Sequence, residues 1–272
     1  MSNIQVRNLQ LLELNILKEV KDICDKNNLK YYLLGGTLLG SVRHKGFIPW
    51  DDDIDICMPR EDYEKFLEIA PIQLKKSYKL SNYKNNKDYI LYFSKVTNSL
   101  IKLKSKEKKY EEIVPAWIDI FPLDGMPNNI LIRKIHQFNF FIKKTMLTLS
   151  NFNEININTI NTSILKKIFF WLEKYIEFSK FINSKRQLDK IDILLKKYPY
   201  ENSKYVCNFM GAYKFKEMFS KKLYDDSSTY IFEDIEVVAP RDYDFYLTQL
   251  YGDYMKLPPE NERNRHLTEI LN

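Results

Sequence analysis

Gly35-Gly36-Thr37-Leu38-Leu39-Gly40-Ser41-Val42-Arg43-His44-Lys45-Gly46-Phe47-Ile48-Pro49-Trp50-Asp51-Asp52-Asp53-Ile54-Asp55-Ile56 is the stretch that decides the fold. Just before it, the apolar run Tyr31–Leu34 predicts a buried strand, closed by the glycine pair as a tight turn. A short helix is expected over Thr37–Val42, and Gly46 and Pro49 mark Arg43–Trp50 as loop. Ile54, Ile56 and Met58 then alternate with Asp53, Asp55 and Cys57, the period of a strand with acids on one face near its start. Pro59 suits the first position of a helix running to about Ala70.

Asp51, Asp52, Asp53 and Asp55 crowd four carboxylates into five positions. Two acids on one strand face raise each other's pKa unless a cation lies between them. The cluster therefore asks for a metal, and all-oxygen ligands point to Mg²⁺ or Mn²⁺. Asp51-x-Asp53-x-Asp55 also matches the start of an EF-hand loop, but its sixth position is Ile56 rather than Gly and its twelfth is Asp62 rather than Glu. A solvated acidic turn is the plainer alternative. Asp119, a lone acid in the apolar run Trp117-Ile118-Asp119-Ile120-Phe121, offers a third carboxylate, since a buried acid needs a partner. Gly35 and Gly36 let backbone approach a ligand, and the helix start after them presents free N–H groups to phosphate.

Outward from this centre, apolar positions at Leu9, Leu12, Ile16, Val20 and Ile23 predict a helix over residues 5–27. Strands are expected at 89–96, 99–104 and 116–121, with Leu123–Asn129 as loop. Helices follow at 130–149, 163–182 and 185–197, separated by an Asn-rich loop at 151–162, then a strand pair near 228–239 and a helix near 242–251. The fold class is mixed α/β: a core over 1–128, a basic helical region over 129–200, and a C-terminal mixed segment over 201–272 packing on the core.

The chain has 272 residues, 44% hydrophobic and 29% charged, which excludes wholesale disorder. Its net charge of +6 is uneven: residues 130–199 hold 13 Lys/Arg against 5 Asp/Glu, a surplus of 8 that leaves −2 for the remainder. Such a basic middle suits an anionic partner, or is simply a solvated face. Cys24, Cys57 and Cys207 are widely spaced with no CxxC pair, so a disulfide framework is not expected and a reducing setting is. The N-terminus lacks signal-peptide features and no run approaches 18 uncharged apolar residues, giving a cytoplasmic expectation. The Lys-, Phe- and Trp-bearing stretch Ile164–Ile182 suits either packing within the domain or peripheral contact with the inner face of the plasma membrane.

GGTLLGSVRHKGFIPWDDDID, with WIDIFPLDG and the later YDFYLTQLYGDYMKLPP, resembles the LicD family of phosphocholine transferases, related to the fukutin proteins and part of the nucleotidyltransferase superfamily. The resemblance is dense over about 31–125, recognisable over about 215–266, and absent from the helical middle. It implies a nucleotidyltransferase-like mixed sheet in which Gly35 and Gly36 cradle phosphate and Asp53, Asp55 and Asp119 form a metal triad. Asp51 and Asp52 match the motif as well and leave open which of them reaches metal; Asp51 is counted with the candidate ligands.

The implied reaction moves phosphocholine from CDP-choline to a sugar hydroxyl of a cell-surface glycan precursor, of teichoic acid or lipopolysaccharide type, releasing CMP. Two Mg²⁺ (or Mn²⁺) ions would serve it, with Asp119 assisting deprotonation of the acceptor. Thr37, Arg43, His44 and Lys45 are candidates for phosphate contact, and Trp50, Trp117 and Tyr251 for an aromatic choline pocket. Lys95, Arg263 and His266 are further candidates for substrate contact. No nucleic-acid partner is expected. The rivals are a nucleotidyltransferase using free NTP, a non-catalytic scaffold, and the same chemistry with CDP-ethanolamine, CDP-glycerol or CDP-ribitol.

Overall fold

The computed structural model describes residues 3–105, 111–152, 181–260, 263 and 268–270. The expected helix at 163–182, all but two residues of the 151–162 loop, and His266 therefore lie largely or wholly outside the described residues.

Helix α1 (Asn3–Lys26) buries Leu9, Glu13, Ile16, Val20 and Ile23 along one stripe; Glu13 takes the place expected of Leu12. Strand β1 (Tyr32–Leu33) leads into helix α2 (Gly35–His44), which starts on the glycines themselves, earlier than expected. Strand β2 (Asp55–Pro59) and helix α3 (Arg60–Gln73) follow. Asp53 thus lies in the loop before the strand, not on it.

Strands β3 (Tyr78–Ser81), β4 (Ser94–Ser105) and β5 (Glu112–Met126) build the rest of the central sheet. The two strands expected at 89–96 and 99–104 are one, β4, with a register shift between Asn98 and Lys102. Residues 82–93 are irregular instead, because Asn82 and Asn85 side chains bind nearby backbone groups and close turns there. Strand β5 also runs on through Leu123-Asp124-Gly125-Met126, the stretch expected to be loop. A Cβ on Gly125 would collide with the Tyr198 and Pro199 carbonyls, so this glycine marks a close backbone approach inside a strand.

Helices α4 (Ile130–Ser150) and α5 (Ser184–Leu195) lie against each other. Beyond them come β6 (Tyr205–Cys207), β7 (Met218–Ser220), the hairpin β8 (Ser227–Phe232) and β9 (Ile235–Pro240), helix α6 (Tyr243–Tyr251) and β10 (Thr268–Ile270).

Among the described residues, eight strands form one mixed sheet with the path β1-β2-β5-β4-β10; β3 also pairs with β4, and β6 bridges β5 to β7. Only β2 and β5 run parallel among the described residues; the other pairings are antiparallel. One core lies around this sheet, and a second gathers Tyr83, Tyr92, Met126, Phe140, Leu188, Ile191 and Phe209 beneath α4 and α5. Cys24, Cys57 and Cys207 are buried free thiols, as their spacing led one to expect.

Candidate active site

The parallel register of β2 and β5 sets Asp55 opposite Asp119. The antiparallel registers then set Lys95 of β4 opposite Asp119 and Ser81 of β3 opposite Lys95. Four strands thus carry one row, Asp55–Asp119–Lys95–Ser81, on a single sheet face. Lys95 Nζ lies 3.5 Å from Asp119 Oδ1 and 3.9 Å above the Trp117 ring.

The glycine turn is bolted to this row by backbone. The Asp55 amide donates to Thr37 Oγ1 (2.9 Å), the Leu34 amide to the Asp55 carbonyl (3.1 Å), and the Asp119 amide to the Ile54 carbonyl (2.9 Å). Thr37 Oγ1 is thus an acceptor for the acid strand, which leaves its O–H as a donor. Gly35 sits at φ +47°, in the left-handed region where a side chain is strained, and its amide donates to Tyr246 Oη (3.1 Å). A Cβ on Gly36 would lie 2.8 Å from Asp51 Oδ2, so the missing side chain makes room for that carboxylate. Leu34 gives α2 no side-chain cap, which leaves the amides of its first turn without an intrahelical acceptor.

Helix α1 closes the acidic loop from the other side. Gln10 Nε2 donates to the Ile48 and Asp51 carbonyls (3.2 and 2.8 Å). One turn on, Glu13 is buried to 2% exposure, and its Oε2 has no hydrogen-bond partner. Burial pushes the Glu13 carboxyl well above its ordinary range, and Asp53, Asp52, Asp51 and Asp119 push it further. Asp51 is pushed up to about 7 by burial and by Asp52, against the pull of Arg43. Asp53 and Asp55 are both held well above the usual carboxylate range, by lost hydration first and by the neighbouring acids second.

Clustered acids of this kind fit a hard cation by chemistry, and the unsatisfied Glu13 oxygen beside them fits the same need for positive charge. Among the described residues, no three His, Cys, Asp or Glu side chains stand close enough together to cage a metal as they are. A cation would have to draw the carboxylates inward.

The remaining candidates divide into two groups. Tyr251 reaches the glycine turn, its Oη 3.5 Å from where a Gly35 Cβ would stand, and meets Tyr213 edge-on at 5.2 Å. Trp50 packs edge-on to His44 and lies beneath Arg263, whose guanidinium carbon is 4.6 Å from the ring centre. Arg43 donates to the Tyr254 carbonyl (2.8 Å) and feels the charges of Arg263 and Asp51. Trp117 and Lys95 belong to the opposite side, beyond Asp119. Lys45 joins neither group: it is exposed, caps the far end of α2 at φ 59°, and accepts from the Glu233 amide.

Three participants escaped the sequence reading. Glu13 is signalled only by an acid falling on a buried helical stripe. Tyr213 carries no local signal. Glu217 is 5% exposed, binds the Tyr213 amide and the Asn208 side chain, and is pushed up to about 7 by burial.

Comparison with known proteins settles the kinship. Residues 28–148 match the family model described as LicD/FKTN/FKRP, nucleotidyltransferase domain. Over 98% of this chain and 97% of the relative, the sequence is 30% identical to the lipopolysaccharide cholinephosphotransferase LicD of Haemophilus influenzae. The chain belongs to the LicD family. An uncharacterized protein of Rickettsia typhi is 36% identical over 116 residues, 43% of this chain and 35% of that protein. A second, from Rickettsia prowazekii, is 46% identical over 56 residues, 21% of each chain. The LicD model spans the glycine turn, the Asp51–Asp55 loop and Asp119, while Glu13, Tyr213 and Tyr251 fall outside it.

Proposed function

We propose that this chain is a transferase that moves phosphocholine from CDP-choline to a sugar hydroxyl of a lipopolysaccharide-type glycan, releasing CMP. The full-length likeness to the Haemophilus influenzae enzyme carries this reading. The in-register acids and the glycine turn support it.

Asp53, Asp55 and Asp119, with Asp51 beside them, are the residues that would hold Mg²⁺ or Mn²⁺. Bound there, one or two such ions would neutralise charge on the phosphates and lower the pKa of the acceptor hydroxyl. The Gly36 and Thr37 amides in the first turn of α2 receive phosphate oxygens, the Gly35 amide being held by Tyr246. Asp119 takes the proton of the sugar hydroxyl as the new sugar O–P bond forms and the P–O bond to CMP breaks. Tyr213 and Tyr251, meeting beside Gly35, offer ring faces to a quaternary ammonium, which can make no hydrogen bonds. That pair favours choline over glycerol or ribitol. Trp117 is less suited to the role, because the Lys95 ammonium already lies over its ring.

Among the described residues, no helix is long and apolar enough to cross a membrane. Peripheral lipid contact is the placement we infer. Leu131, Ile135, Phe138, Ile142 and Met146 are exposed along one line of α4, a helix with Arg133, Lys134, Lys143 and Lys144 and no acid.

The test is incubation with choline-labelled CDP-choline and lipopolysaccharide, with Mg²⁺ or with a chelator. Label entering the polysaccharide only with the cation is the expected result; label staying in the nucleotide under both conditions overturns the reading.

A further inference from the structure

A cleft of about 540 Å³ opens on the sheet face that carries the acid row, over β3, β4 and β5. Its wall holds Lys95 and Ser81 from that row, and Asp119 lies one strand further in, next to Lys95 and outside the lining. Lys95 and Trp117 are in its wall, followed by Thr97, opposite Trp117, and Lys79, opposite Thr97. None of the acids of the 51–55 loop and no residue of the glycine turn lines it.

Strand order fixes what each side of Asp119 can receive. The glycine turn follows β1, at one end of the path β1-β2-β5-β4, and the cleft lies over β4 and β3 at the other. Asp55 and Asp119 stand between them. In-line displacement at phosphorus needs the incoming oxygen on the far side from the leaving group. With the diphosphate of the donor on the glycine turn, the incoming oxygen arrives from the cleft.

The lining suits a sugar. Ser81, Asn86, Thr97 and Ser99 present short polar side chains at spaced positions, and Lys95, over the Trp117 ring, adds a donor for sugar hydroxyls, while Pro115 and Ile101 give apolar surface for the C–H face of a pyranose. The Thr97 and Ser99 hydroxyls donate to the Lys79 and Ser77 carbonyls and keep their lone pairs to accept from sugar hydroxyls, beside the apolar residues of the same face.

We propose that this cleft is the acceptor site, taking a saccharide whose attacking hydroxyl lies at Asp119. The proposal rests on the transfer reading above and assigns its second substrate a place. Ser81 and Lys79 become specificity residues, acting by contact with the sugar chain rather than with the reacting phosphorus.

The test fills the cleft from its outer strand with Ser81→Trp and, separately, with Lys79→Trp at an exposed position where folding is least at risk. Binding of lipid-free oligosaccharide released from lipopolysaccharide is measured by equilibrium dialysis without donor, and the acceptor KM with CDP-choline present. Both variants should bind the oligosaccharide about tenfold or more weakly, with the acceptor KM rising in step. Wild-type binding in both variants, or no saccharide binding by the wild-type protein, overturns the proposal. If CDP-choline is not turned over at all, the transfer reading falls, while dialysis still shows whether the cleft holds sugar.

Discussion

Single atoms decide whether the acids and the glycine turn share one site. The Gly36 position leaves 2.8 Å between a would-be Cβ and the tip of the Asp51 side chain. A flexible carboxylate can swing away from a methyl group, so Gly36→Ala should leave the melting temperature nearly unchanged. It should also cut kcat/KM for CDP-choline by roughly tenfold or more, since small displacements at a reacting centre are costly. Thermal unfolding and initial rates on the same preparation check this; a variant with wild-type kcat/KM would show that Asp51 and the turn are not coupled. Much of this scale was legible beforehand. The crowding of Asp51, Asp52, Asp53 and Asp55 announced itself, and so did Asp119 as an acid in an apolar strand. Glu13 did not, because a helix stripe is read from its apolar members, and a buried acid on it is visible only once the loop it faces is in place.

Elements show where local rules mislead. Tyr89–Phe93 has the composition of a strand, yet Asn82 and Asn85 spend their side chains on turns, and Tyr83 and Tyr92 stack on each other in the second core. Gly125 has the look of a loop residue and instead lets a neighbouring backbone pass. Helix α4 was legible from its period, but its second apolar line faces outward. If that line meets lipid, the protein should sediment with vesicles containing anionic phospholipid and much less with neutral ones. Ile135→Ser with Phe138→Ser should abolish the difference; equal sedimentation before and after the change would remove the membrane role.

The inner face of α4 titrates. His136 is 3% exposed, held edge-on against Tyr198 and Phe209, and burial, with Lys197 nearby, lowers its pKa to about 4. The folded value lies below the unfolded one, so the unfolded chain binds the proton more readily. The His136 contribution to stability is therefore complete above about pH 6.5 and lost as pH falls toward about 4, on the order of 2 kcal/mol. Urea unfolding across that range should show the loss, and His136→Phe should flatten it; an unchanged slope in the variant would point to other groups.

Across the whole molecule, the central sheet and the second core are joined by a buried polar chain. Arg60 grips Asp124 with two hydrogen bonds (2.6 and 2.8 Å) and donates to Tyr92, which in turn donates to Asp192 of α5. No sequence pattern announces that chain, since its members lie on α3, β5, an irregular segment and α5. The α/β class and the β2–β5 centre were legible from alternation and spacing, whereas β6, β7 and β10 are too short to leave a periodic trace. The sheet order matters most for the proposed function, because it puts the glycine turn and the open cleft on opposite sides of the acid row.

The most direct test is CMP release from CDP-choline in the presence of a lipopolysaccharide acceptor, comparing the wild-type protein with Asp53→Asn and including CDP-ethanolamine, CDP-glycerol, ATP, CTP and UTP as alternative donors. The account predicts Mg²⁺-dependent CMP release that prefers CDP-choline and falls by a factor of about 100 or more in Asp53→Asn. Consumption of a free NTP with CDP-choline untouched, or an Asp53→Asn protein as active as wild type, would contradict it.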